Sequence, residues 1–194
     1  MRALLAIGFT LTSTAAFAHT GHGDASGFLL GLQHPIGGLD HVLAMVAVGV
    51  FAYVLGGRAL LLVPLSFVGM MALGFLLGAG GFDLPFVELG IALSAVVIGG
   101  TAALGRPMPA AGAMALVGIF AIFHGHAHGS EMPADASGLS YALGFIIATA
   151  LLHVAGIAAA MGVARLAGRY ARPAAQFAGG LFALGGFGVL AGWM

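Results

Sequence analysis

The sequence predicts an all-α integral membrane protein, with six transmembrane helices behind a cleaved signal peptide and a first helix broken near 35–38. Three observations carry that prediction. Of the 194 residues 61% are hydrophobic and 6% charged, with a mean hydropathy of +1.11, which describes a chain soluble in lipid. Six apolar stretches are long enough to cross the roughly 30 Å hydrocarbon core, which takes about 20 helical residues. The charges between those stretches alternate in sign from one connection to the next. The apolar runs lack the alternation of membrane β-strands, and 34 Gly among many Ala offer surfaces for close helix packing.

In chain order, Arg2 precedes an apolar core from Ala3 to Leu11, and Ala16-Phe17-Ala18 supplies small residues at a cleavage site. Residues 1–18 are therefore expected to be a signal peptide, and 19–194 a single transmembrane domain. Cleavage after Ala18 would leave His19 and His22 beside a free amine, either as a metal-capturing tail or as stray polar residues. The expected spans are 28–55, 59–80, 84–104, 109–128, 138–163 and 174–193. Gly-, Pro- and charge-bearing breaks separate them.

Arg58, Arg106, Arg165, Arg169 and Arg172 fall in the first, third and fifth connections, whereas Asp83, Glu131 and Asp135 fall in the second and fourth. The positive-inside rule then puts every mature Arg in the cytoplasm and both mature termini in the periplasm, as expected for a bacterial inner-membrane protein. A cleaved signal peptide gives the same outward N-terminus, and Trp193 suits the outer interface. No Cys is present, so disulfides, iron–sulfur clusters and thiolate sites are excluded. The chain has no Lys, and its Arg residues form no basic patch for nucleic acid.

Eight His among so few polar residues are the compositional oddity. An ionisable group inside a membrane is costly unless it is paired or binds an ion. The stretch HPIGGLDH places His34, Asp40 and His41 at the start of the first span. Pro35 biases His34 away from the helical region and Gly37-Gly38 loosens the backbone, so a short segment from Phe28 to Gln33 should precede the main helix. Such a break would let His34 fold back towards Asp40 and His41. The alternative is an N-cap Asp beside two interfacial His.

The fourth span ends in FHGHAHGSE. If its helix persists, His124, His128 and Glu131 share one face and His126 points elsewhere. Two His one turn apart is a frequent metal-ligand spacing, and a carboxylate can bind or hold the second ring nitrogen. Gly125 and Gly129 keep a solvent-exposed His-rich loop as the alternative. Glu88 lies a turn into the third span, with Ser94 nearly two turns on. It is either a protonated, hydrogen-bonded core group or part of a site. His153 lies about 22 Å down the fifth span at 1.5 Å per residue, with Thr149 on its face. It is either a core His bonded to that hydroxyl or a deeper relay point.

HPIGGLDH in the first mature helix and FHGHAHGSE in the fourth, in a six-helix frame behind a signal peptide, resemble the HupE/UreJ family of nickel/cobalt membrane proteins. The resemblance covers essentially the whole chain. It implies a secondary permease supplying nickel to hydrogenase or urease, or cobalt in other settings, and roles for His34, Asp40, His41, His124, His128 and Glu131. The first stretch is also similar to the His-x-x-x-x-Asp-His motif of larger nickel/cobalt transporters. It has one more intervening residue, so their site geometry is not carried over.

The expected function is thus a permease for a divalent metal, nickel or cobalt before zinc, captured at a His/Asp/Glu site in the outer half of the membrane. Imidazole and carboxylate ligands suit these metals. A membrane-embedded zinc hydrolase, with three His on the metal and Asp40 or Glu88 as general base, is the alternative from another class. A membrane metal sensor or chaperone is a third. No prosthetic group and no catalytic role is expected. The expected partners are the metal and the bilayer, with a second copy of the chain or metallocentre-assembly proteins as further candidates.

Overall fold

The computed structural model describes residues 23–193, and within them every regular element is helical. The signal peptide, His19 and His22 lie outside the described residues. The helices are α1 (Gly23–Gly37), α2 (Leu39–Leu55), α3 (Ala59–Ala79), α4 (Val87–Leu104), α5 (Ala110–Ser130), α6 (Gly138–Ala167) and α7 (Ala171–Leu190), with one 3-10 turn at Gly168–Tyr170.

α3, α4 and α5 are each long and apolar enough to cross a membrane, as is the 53-residue stretch Gly138–Leu190; α1 and α2, bent by 83°, form a fifth candidate together. A straight 53-residue helix would run about 80 Å, more than twice the hydrocarbon core. It does not run straight. α6 and α7 both pack on the 17-residue α2, so the chain reverses between them, at Gly168 with φ 51°. A positive φ of this kind is open to Gly at little cost.

Large apolar side chains such as Leu76, Phe177, Leu184 and Leu166 (92% exposed) cover the outside. A water-soluble monomer does not expose apolar surface on this scale, whereas a lipid-facing bundle must. Between lipid-bathed helices the attraction is van der Waals packing, so backbone approach decides which pairs meet. α3 and α5 meet most extensively. A methyl group added at Gly125 or Gly129 would overlap the Met71 or Phe75 carbonyl of α3. Gly125→Val is therefore expected to destabilise the protein by about 1–3 kcal/mol, the usual cost of overpacking, read as a lower unfolding temperature in detergent.

Several boundaries differ from expectation. The first span breaks within the expected stretch, at Gly38 (φ −102°, ψ 121°), but the segment before it does not end at Gln33: His34 and Pro35 stay helical in the last turn of α1. α1 lies along the first turns of α6, with Gly31 against Tyr141 and Gly144 against Phe28, and Pro35 is buried. This packing outweighs the local bias of proline. α4 starts at Val87 because Leu84 precedes a proline and Phe86 is left-handed at φ 60°. α6 runs on to Ala167, with Arg165 in the last turn, where the helix dipole favours a cation. α7 starts at Ala171, and Pro173 sits in its first turn, where a missing N–H costs nothing.

The two ends of the bundle differ in charge. At one end Tyr53, Arg106 and Arg172 line a common cavity, and the Arg172 guanidinium donates to the Gly105 carbonyl at 2.9 Å. At the other end the α1–α2 bend lies beside the end of α5 and the start of α4, where Asp40, Glu88 and Glu131 line a second cavity.

Candidate metal site

The Gly38 break positions the first candidate pair. Asp40 and His41 occupy the first turn of α2, where one Asp40 oxygen, Oδ1, accepts both the His41 backbone N–H at 2.8 Å and its Nδ1–H at 3.0 Å. A neutral imidazole carries one ring proton. With that proton on Nδ1, His41 Nε2 holds a lone pair, and it is buried without a hydrogen-bond partner.

α5 supplies the facing histidines. The helix persists to Ser130, so the solvent-loop alternative is overturned: His124 and His128 are fully buried and His126 is 7% exposed. Gly125 and Gly129 are close-packing positions against α3, which is why the helix holds together there. His126 points to the other side, where its Nε2–H donates to the Phe82 carbonyl at 2.6 Å and ties the α3–α4 connection to α5. Glu131, immediately past the helix end, accepts from His34 Nε2 at 3.2 Å.

These rings form a descending series. Centroids are 4.8 Å apart for His34 and His128, 5.1 Å for His128 and His41, and 4.7 Å for His41 and His124. Phe67 of α3 then touches both His124, at 5.6 Å, and His153, at 5.1 Å. His128 stacks on Phe145, at 4.8 Å and 18°. The mouth of the series is a cavity of about 440 Å³ lined by Gln33, His34, Asp40, His41, Glu88 and Glu131 among others.

Glu88 is exposed in that vestibule and is not a core carboxyl, because α4 begins only one residue before it. His153 is not held by Thr149, whose hydroxyl donates to Met71 Sδ at 3.6 Å. Both ring nitrogens of His153 and of His128, and Nδ1 of His124, are buried without a partner. An orphaned buried polar group costs about 1–3 kcal/mol. Such groups are rare in folded proteins, so a row of them asks for something that fills it, a water or an ion.

His34, Asp40, His41, His124, His128 and Glu131 are thus brought together, with Glu88 at the rim and His153 one step deeper. Among the described residues no three His, Asp or Glu side chains converge as a preformed metal cage. The rings instead lie in successive pairs.

Three residues of this arrangement carry no mark in the sequence. Phe67 and Phe145 are two of 14 Phe, and nothing in their spacing marks them. Tyr141, whose buried hydroxyl lacks a partner and whose ring lies 6.0 Å from His34, had no signal either.

Comparison with known proteins agrees with the sequence motifs. The profile described as HupE / UreJ protein matches residues 7–189. Protein HupE of Rhizobium leguminosarum bv. viciae is 47% identical over 179 residues, covering 91% of each chain. No solved structure matches.

Proposed function

We propose that this chain, which belongs to the HupE/UreJ family, is a secondary permease that takes a divalent transition metal, nickel or cobalt, from the periplasm into the cell. The carrying observation is the row of buried, unpartnered imidazole nitrogens that begins at the vestibule and descends through His128, His41 and His124 to His153. Neutral imidazole suits nickel and cobalt, and each successive pair offers a place to bind and a neighbour to pass to.

The chain crosses the membrane six times, with the Arg-bearing end in the cytoplasm and the vestibule facing the periplasm. His34, Glu88 and Glu131 receive the hydrated ion at the mouth. Asp40 holds His41 with Nε2 free, the role of a carboxylate behind a metal-binding His. A zinc hydrolase would need three donors converging on one ion, an arrangement not formed among the described residues.

Vesicles containing the purified protein are expected to accumulate radioactive nickel above protein-free vesicles. Because protonated imidazole cannot bind metal, uptake should fall once the medium is acid enough to protonate the row, with equal pH on both sides. Uptake no greater than in protein-free vesicles contradicts the reading.

A further inference from the structure

Ser94 lies on α4, fully buried, with its hydroxyl turned to α5. Its oxygen stands 2.5 Å from the Ile91 carbonyl oxygen and 2.9 Å from His124 Nε2. A hydroxyl has one proton to give and a carbonyl oxygen has none. Two oxygens at that separation would repel unless the proton lay between them, so Ser94 donates to Ile91. Towards His124 it can then only accept.

That assignment fixes the imidazole. Nε2 of His124 must carry the ring proton, and Nδ1, buried and without a partner, must carry the lone pair. We propose that Ser94 is a positioning residue that locks His124 in its Nε2–H tautomer and so makes Nδ1 the nitrogen presented to the metal. The inference rests on the reading that the imidazole row carries metal. It gives His124 what His41 has in Asp40 and His34 has in Glu131: a partner on one ring nitrogen that leaves the other free. Ser94 achieves this without a charge, which matters at a depth where a carboxylate would be costly.

Without Ser94 the ring loses its acceptor. Either nitrogen can then hold the proton, and the ring can turn over about its terminal torsion. Loss of such an outer partner typically weakens metal binding about 10–100-fold.

The test uses the full-length protein in detergent, labelled with ¹⁵N-histidine and metal-free at about pH 8, where imidazoles are neutral. The His124 signals are assigned by their loss in His124→Gln. The parent should show one tautomer, with protonated Nε2 and bare Nδ1, and diamagnetic zinc added as probe should shift Nδ1. Ser94→Ala should show both tautomers and bind zinc about 10–100-fold more weakly by calorimetry, with the remaining His signals unchanged. A parent His124 protonated at Nδ1 overturns the proposal, as does Ser94→Ala with a single tautomer and unchanged affinity. If the parent shows the expected tautomer but zinc shifts no His ring, the metal reading fails and the lock alone stands.

Discussion

Replacing His128 by Leu is expected to abolish nickel uptake, by about 100-fold or more, and to raise the thermal stability of the protein in detergent. The two effects have one cause. His128 is fully buried, stacked on Phe145, with neither ring nitrogen hydrogen-bonded. Each orphaned nitrogen costs about 1–3 kcal/mol of stability, which an apolar side chain of similar size recovers. The same change removes a link between His34 and His41, a loss beyond that of an outer-shell partner.

His126→Leu is the control. Its Nε2–H is spent on the Phe82 carbonyl, on the side away from the row, so its removal should leave uptake near the parent value. Uptake assays and melting curves of the two variants, taken side by side, check both signs. A destabilised His128→Leu with normal uptake would assign that ring to packing.

Gly38→Ala should lower uptake about 10–100-fold while its neighbour Gly37→Ala has little effect. The backbone at Gly38 is extended, a conformation any residue adopts, so the requirement there is one of space. A methyl on Gly38 would stand 2.7 Å from Asp40 Oδ1 and 3.0 Å from His41 Nδ1. Those are the two atoms of the bond that leaves His41 Nε2 free, so a shift of Asp40 Oδ1 to make room disturbs that bond. A methyl on Gly37 meets nothing within 4 Å. Nickel uptake and nickel affinity of the two variants make the comparison. Equal uptake by both would detach the Asp40–His41 pair from transport.

Much of this was legible in the sequence because it rests on local periodicity. The i, i+4 spacing of His124 and His128, the divergence of His126, and the alternation of Arg-rich and acidic connections follow from helix geometry and from the cost of moving charge across a lipid core. The break in the first span was legible within 35–38, but the helix before it runs four residues beyond Gln33. Pro35 is a local signal, but α1 packs so closely on α6 at Gly31 and Gly144 that it remains helical through Gly37.

Glu88 stayed open between core and site for a related reason. Its burial depended on where α4 begins, and Pro85 with left-handed Phe86 delays that start. Ser94 was noticed beside Glu88 but had no role, because its partner lies 30 residues away on another helix. Phe67 and Phe145 act likewise across helix contacts that carry no periodic signature.

Radioactive nickel uptake into vesicles bearing the parent, His41→Ala or His124→Ala, at matched protein levels, tests the central claim that the imidazole row is the metal path. Loss of uptake is expected in both variants, since each removes one side of the 4.7 Å His41–His124 step. Unchanged uptake in both would contradict it.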